Sequence, residues 1–116
     1  MKNRKLPEPY YSRLSDPLRW QKIFGDDFRI ADQFLCMFCD AFMFSEQERY
    51  KFEPDDTMMA IYRAVYPSRW TPDALEHSIL NDAVEKQFNF TFDPDRLDKL
   101  ASFRQIVGEI KDAQQR

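Results

Sequence analysis

The stretch FRIADQFLCMFCDAFMF, residues 28–44, constrains the fold most. Its Ala31, Phe34, Leu35, Phe38 and Phe42 recur three and four positions apart. That spacing puts them on one face of an α-helix, whereas a strand would alternate its apolar side chains. A long core helix is predicted here, capped by Asp26 or Asp27. It needs partners to cover its stripe, because an isolated helix is marginal in water.

The rest of the chain supplies those partners. Ser15-Asp16-Pro17 pairs a capping side chain with a first-turn proline, and Gly25 stops the helix it opens. On that helix Leu18, Ile23 and Phe24 are expected to dock on the body. Residues 1–13, with two prolines and a tyrosine pair, read as an extended arm. Ser45–Glu48 has the S-x-x-E capping pattern, which predicts a turn of helix through Arg49. Glu53-Pro54 breaks it. Asp55 or Asp56 then opens a helix bearing Met58, Ile61, Tyr62 and Val65, which Pro67 ends. Residues 67–70 (PSRW) form a loop. Thr71-Pro72 opens the next helix, with Leu75, Ile79, Ala83 and Val84 on one face and Leu80 and Phe88 flanking. After an extended NFTF linker, Asp93-Pro94 caps a brief helix carrying Leu97 and Leu100. Ser102 and Gln105 form a second capping box before Phe103, Ile106, Val107 and Ile110. The last residues should fray.

The expected fold is therefore all-α: a small helical bundle built from one domain of 116 residues. With two glycines in the chain, a glycine-rich phosphate loop is excluded. No apolar run reaches membrane-spanning length, which argues against a membrane role. The basic N-terminus lacks the apolar segment of a secretory signal, so a cytoplasmic location is the default expectation. Charge is uneven. Residues 1–26 carry six Lys/Arg against three Asp/Glu, and residues 27–116 carry eleven against seventeen. An acidic body disfavours nucleic acid and suits a protein partner with a basic patch.

The order of elements resembles the acyl and peptidyl carrier proteins. DALEHSILNDAVEKQFNFTFDPDRLDKLASFRQIVGEIK runs beside that family's pattern without a gap. Asp73 and Leu75 match the Asp and Leu of its Asp-Ser-Leu motif. Glu85 and Phe88 match the end of its second helix, Phe92 the apolar position before the third. Phe103, Ile106, Val107 and Ile110 look like the fourth helix, and FLCMFCDAFMFSEQERYKFEPDD like the first helix and its loop. The resemblance spans roughly residues 28–111 and is weakest at 57–70. It implies a four-helix bundle over residues 27–116, with residues 1–26 as an extra N-terminal helical arm.

The departure is at the functional centre. The family attaches phosphopantetheine to its motif serine, and this chain carries Ala74 there. A methyl group cannot attack coenzyme A. Ser78 lies one turn later, about 6 Å along the helix. Ser68 lacks the flanking Asp and Leu, and Thr71 is better used as a cap. No cofactor is therefore expected.

Other candidate chemistry is sparse. Cys36 and Cys39 form a C-x-x-C inside an apolar helix, where they read as core residues rather than as a redox pair. His77 is the chain's single histidine, and no triad partner is apparent. Asp55-Asp56 and Asp93, Asp95 and Asp98 suit the positive N-terminal ends of helices, and no calcium-loop pattern accompanies them. No metal site and no enzyme activity are expected. Tyr66 or Trp70, if exposed, would serve as a partner hot spot.

In the carrier family the second helix docks basic partner enzymes. The same surface here comprises Trp70, Asp73, Leu75, Glu76, His77, Asp82 and Glu85. The expected function is a non-catalytic docking or regulatory module. The alternatives are a true carrier modified at Ser68 or Ser78, and a small acidic inhibitor or immunity-type protein.

Overall fold

Asp16 Oδ1 accepts a hydrogen bond of 3.1 Å from the amide of Arg19. With Pro17 in the first turn, α1 forms over Pro17–Phe24 and stops at Gly25, whose positive φ of 55° is cheap only for glycine. The molecule is described by a computed structural model over residues 4–66, 74–90 and 102–115; in the fourth helix, side chains are described from Ile79 onward. A 3-10 turn, Gly25–Asp27, leads into α2, Phe28–Ala41, and a 3-10 segment follows at Glu46–Lys51. Then come α3, Met58–Val65, α4, Ala74–Phe88, and α5, Phe103–Gln114. Helix dominates the described residues, and no named strand occurs among them. The brief helix expected after Asp93-Pro94 and the Thr71-Pro72 cap lie outside them.

The long helix is the centre of the fold. α2 packs against α1, α4, α5 and the 3-10 segment. Ala31, Phe34, Leu35, Phe38 and Phe42 are all fully buried, as their spacing predicts, and Cys39 joins them. The core is unusually aromatic. The Phe38 ring lies 5.0 Å from Phe103 and 5.5 Å from Phe52, both edge to face. Phe103 in turn meets Phe34 at 6.0 Å and Trp20 at 6.1 Å. These tilted and perpendicular arrangements set ring edges against ring faces.

Helix ends agree with the sequence at α1, at the 3-10 segment and at α5; at α2, Asp27 holds the N-cap position but makes no side-chain capping bond, its carboxylate pairing with Lys111 at 2.8 Å instead. Ser102 and Gln105 form a reciprocal capping box, and Phe103, Ile106, Val107 and Ile110 are buried below it. Ser45 caps the 3-10 segment through the Gln47 amide. α3, however, is capped by Thr57, whose hydroxyl accepts from Ala60, and not by Asp55 or Asp56. Asp56 is engaged elsewhere: it accepts from the Glu53 amide at 2.7 Å and pairs with Arg13 at 2.6 Å. Its carbonyl and that of Pro54 accept from the Phe103 and Arg104 amides. Two otherwise unsatisfied N–H groups of α5 are thereby paired with the loop before α3.

Two expected packing faces are corrected. On α1, Leu18 is 73% exposed, and the buried anchor is Trp20, with Ile23 and Phe24 half-buried. One turn of helix faces the core through one large side chain, and the indole buries more apolar area than a leucine does. On α4, the buried row is Leu80, Val84 and Phe88, while Ile79 is 43% exposed. A stripe of every fourth residue keeps to one side of a helix, so this row faces α2 along the part of α4 whose side chains are described.

The N-terminal segment lies against the body rather than extending from it. The Arg4 amide donates to the Met43 carbonyl, and Leu6 and Tyr10 are buried. The Tyr10 ring lies 5.6 Å from Phe52. The Cα radius of gyration, 13.4 Å, matches the ~13 Å expected of a compact single domain of this length.

Candidate functional site

The surface singled out by sequence is carried by α4. Its backbone is helical from Ala74, so Leu75, Glu76 and His77 all stand on one continuous helix with Asp82 and Glu85. Trp70 and Asp73 lie outside the described residues, as do the side chains of Leu75, Glu76 and His77.

What the described part shows is a division by face. Leu80, Val84 and Phe88 point into the core and fix the rotation of the helix. Asp82, Glu85, Lys86 and Gln87 are exposed, and Ile79 stands half out of the protein among them. Helical register places Ile79, Asp82 and Glu85 away from the buried row, three and then three residues apart. The outer face therefore offers one aliphatic side chain beside two carboxylates, with Lys86 as a neighbouring cation. Glu76 stands one turn before Leu80, in the register of the buried row and not of the outer face. At the far end, the Gln114 side chain of α5 donates to the Phe88 carbonyl, which ties the last turn of α4 to the bundle. Asn81 is half-buried, and its Oδ1 is enclosed without a hydrogen-bond partner among the described residues.

The cysteines of the C-x-x-C are both free thiols on α2. Cys39 is in the core and Cys36 is half-buried. Burial pushes the Cys36 thiol up to about 11, and pushes Cys39 higher still. A thiol held protonated at neutral pH is a poor nucleophile and a poor metal ligand. Among the described residues, no group of three or more His, Cys, Asp or Glu stands where it could hold a metal ion. No helix among them is long and apolar enough to cross a membrane. Tyr66 is half-buried, with its ring 4.9 Å from that of Tyr62 and the Arg4 guanidinium 5.1 Å away.

Two polar clusters escape a reading by motif. Arg49 Nε meets Asp32 Oδ1 at 2.8 Å, and the Tyr50 hydroxyl donates to the same oxygen. Arg13 bridges to Asp56, and Arg19 to Glu53 at 3.4 Å. Each joins residues far apart in sequence, so no local spacing announces them. Both tie surface segments together; neither brings a nucleophile to a general base.

No protein-family model matches this chain, and no curated protein or solved structure matches it either.

Proposed function

We propose that this chain is a non-catalytic docking or regulatory module of carrier-protein-like type, whose α4 outer face binds a protein partner bearing a basic patch. The observation that carries the reading is the pairing of exposed Asp82 and Glu85 with half-exposed Ile79 on a helix whose opposite side is locked into the core. A rigid face with one apolar contact and flanking carboxylates suits a cationic partner. The carboxylates set orientation and encounter rate, and the aliphatic contact adds burial. In the carrier-like reading Trp70, Asp73 and Leu75 extend this surface, whereas Glu76 and His77, four and three residues before Leu80, fall in the register of the buried row.

Ala74 at the start of α4 is the reason to assign binding and not carriage. Alanine supports the helix as the strongest helix former but offers no atom for phosphopantetheine transfer. No cofactor and no catalytic residue enter this reading. The experiment is to incubate the protein with coenzyme A and a broad-specificity phosphopantetheinyl transferase, then to record its intact mass. The expected result is an unchanged mass. A stoichiometric phosphopantetheine adduct would replace this function with that of a carrier modified at Ser68 or Ser78.

A further inference from the structure

Residues 4–13 fold as a small unit before α1 begins. The Tyr11 amide donates to the Pro7 carbonyl at 3.0 Å, and the Arg13 amide to the Tyr10 carbonyl at 3.2 Å. The Ser12 hydroxyl donates to the Glu8 carboxylate at 2.7 Å, and the Lys5 ammonium stands 4.2 Å from the centre of the Tyr11 ring. A segment closed by its own turns opens and closes as one unit.

This strap is seated on residues that follow α1 in the chain. Leu6 and Tyr10 are its buried side chains, and the Tyr10 ring lies against Phe52. The Arg4 amide donates to the Met43 carbonyl, and the Arg4 guanidinium stands over the Tyr66 ring. Lys51 Nζ donates to the Tyr11 carbonyl at 3.1 Å. Arg13 fastens the far end to Asp56 at 2.6 Å.

Only Leu14 and Ser15 join the strap to the body. Arg13 is held at the seat, and the Asp16 amide is fixed to the Tyr50 carbonyl at 3.1 Å. Both hinge residues are exposed, Leu14 by 89%. Leu18, four residues on, is 73% exposed. An exposed hinge between two anchored segments can straighten without breaking the bonds inside either. Its leucine is apolar surface that the closed chain leaves in water.

We infer that residues 4–13 exchange between copies: the strap of one chain occupies the seat of a second, and the second chain returns its own. The choice of occupant rests on the seat itself, which already holds an identical segment. Every strap contact of the closed chain is remade between chains, and the two straightened hinges run past each other. Leu14, with Leu18 beside the hinge, is the surface that the exchanged dimer covers and the single chain does not. A strap on a short tether has an effective concentration of roughly millimolar order, so the closed chain prevails when dilute. Concentration favours the exchanged dimer. Return on dilution is slow, because both straps must leave their seats. The inference does not rest on the α4 docking face.

Charge reversal across the seat tests this. Arg13→Glu sets a carboxylate against Asp56, and Asp56→Arg sets a guanidinium against Arg13, so each variant disfavours its own strap. In an exchanged pair of the two variants, both seats again hold opposite charges. Sedimentation velocity at about 10 µM, well below the effective concentration of a tethered strap, should show at least ten-fold more dimer in the mixture than in either variant alone. Circular dichroism checks that both variants are folded. The unaltered chain supplies a second measurement. Tagged and untagged copies are held together at about 1 mM, where exchange competes with the tether, then diluted and captured on the tag. Untagged chain should be captured with the tagged one, and Leu14→Asp in both copies should lower its amount at least three-fold. A mixture no richer in dimer than its folded components overturns the proposal, since only strap exchange sets residue 13 of one copy against residue 56 of the other. So does an unaltered chain that leaves no untagged copy on the tag, which decides the matter where a variant does not fold.

Discussion

The indole Nε1 of Trp20 donates a 2.8 Å hydrogen bond to the backbone carbonyl of Phe52, and both residues are buried. This one contact fastens α1 to the loop that precedes α3, while the indole ring also stacks on Phe24 at 5.4 Å. Trp20→Phe keeps an aromatic ring but strips the Phe52 carbonyl of its donor. We expect a loss of about 1–3 kcal/mol in a urea-unfolding experiment. Leu18→Ala, on the exposed side of the same helix, should change stability by no more than ~0.5 kcal/mol. Equal losses for the two would contradict the rotation assigned to α1.

Phe103 meets rings from α1, α2 and the loop before α3, so its removal opens a cavity that no single neighbour can fill. Phe103→Ala should cost about 3–5 kcal/mol. Phe52→Ala, whose ring lies 5.9 Å from Phe103, should show losses in the double variant that depart from additivity by at least ~0.5 kcal/mol. Strict additivity in a double-mutant cycle would mean that the two rings act apart.

Alkaline pH should destabilise the protein. Burial raises Cys36 from 9.0 to about 11 and raises Cys39 as well. Tyr10 is raised by burial and then by Asp56, and Tyr50 by burial and then by its hydrogen bond to Asp32. In each case the unfolded chain releases its proton at lower pH than the folded one. The unfolded state binds fewer protons in that window, so unfolding free energy falls as pH rises. Stability from Cys36 is complete below its ordinary value of 9.0 and is lost by about 11. Thermal melts from pH 7 to 11 should show Tm level at first and falling above roughly pH 9. A Tm that holds constant to pH 11 would contradict the burial of these groups.

Gly108→Ala adds a methyl group to open space in a helix interior. It should raise unfolding free energy by about 0.5–1 kcal/mol, read by chemical denaturation. A loss of stability would show that the helix needs glycine there for its own packing.

The sequence carried the fold where a period or a cap spoke for itself. The rows on α2 and α5 are buried as their spacing requires, and the Ser102–Gln105 box closes as written. It misled where a short helix offers several apolar residues for one buried place. On α1 the pattern favoured Leu18, and tertiary packing chose Trp20 because its indole reaches the Phe52 carbonyl. On α4, Ile79 and Leu80 are adjacent, and only the neighbouring α2 decides which of them turns inward. Thr57 displaced Asp55 and Asp56 as a cap because Arg13, distant in sequence, claims Asp56. For the candidate site, Asp82 and Glu85 were legible as outer-face residues once the buried row was known. The carrier-like meaning of that face rests on Asp73, Ala74 and Leu75, whose side chains lie outside the described residues.

The central claim, that α4 binds a protein partner through its acidic outer face, is tested most directly by comparative capture. Wild-type protein and an Asp82→Lys, Glu85→Lys variant are immobilised in parallel, and proteins retained from native cell extract are quantified. Both positions are exposed, so the variant should keep wild-type stability within ~0.5 kcal/mol. We predict a partner with a basic surface retained by the wild-type chain, lost from the variant at least ten-fold, and released from the wild type by raised salt. The same proteins retained equally by both chains, without dependence on salt, would contradict the claim.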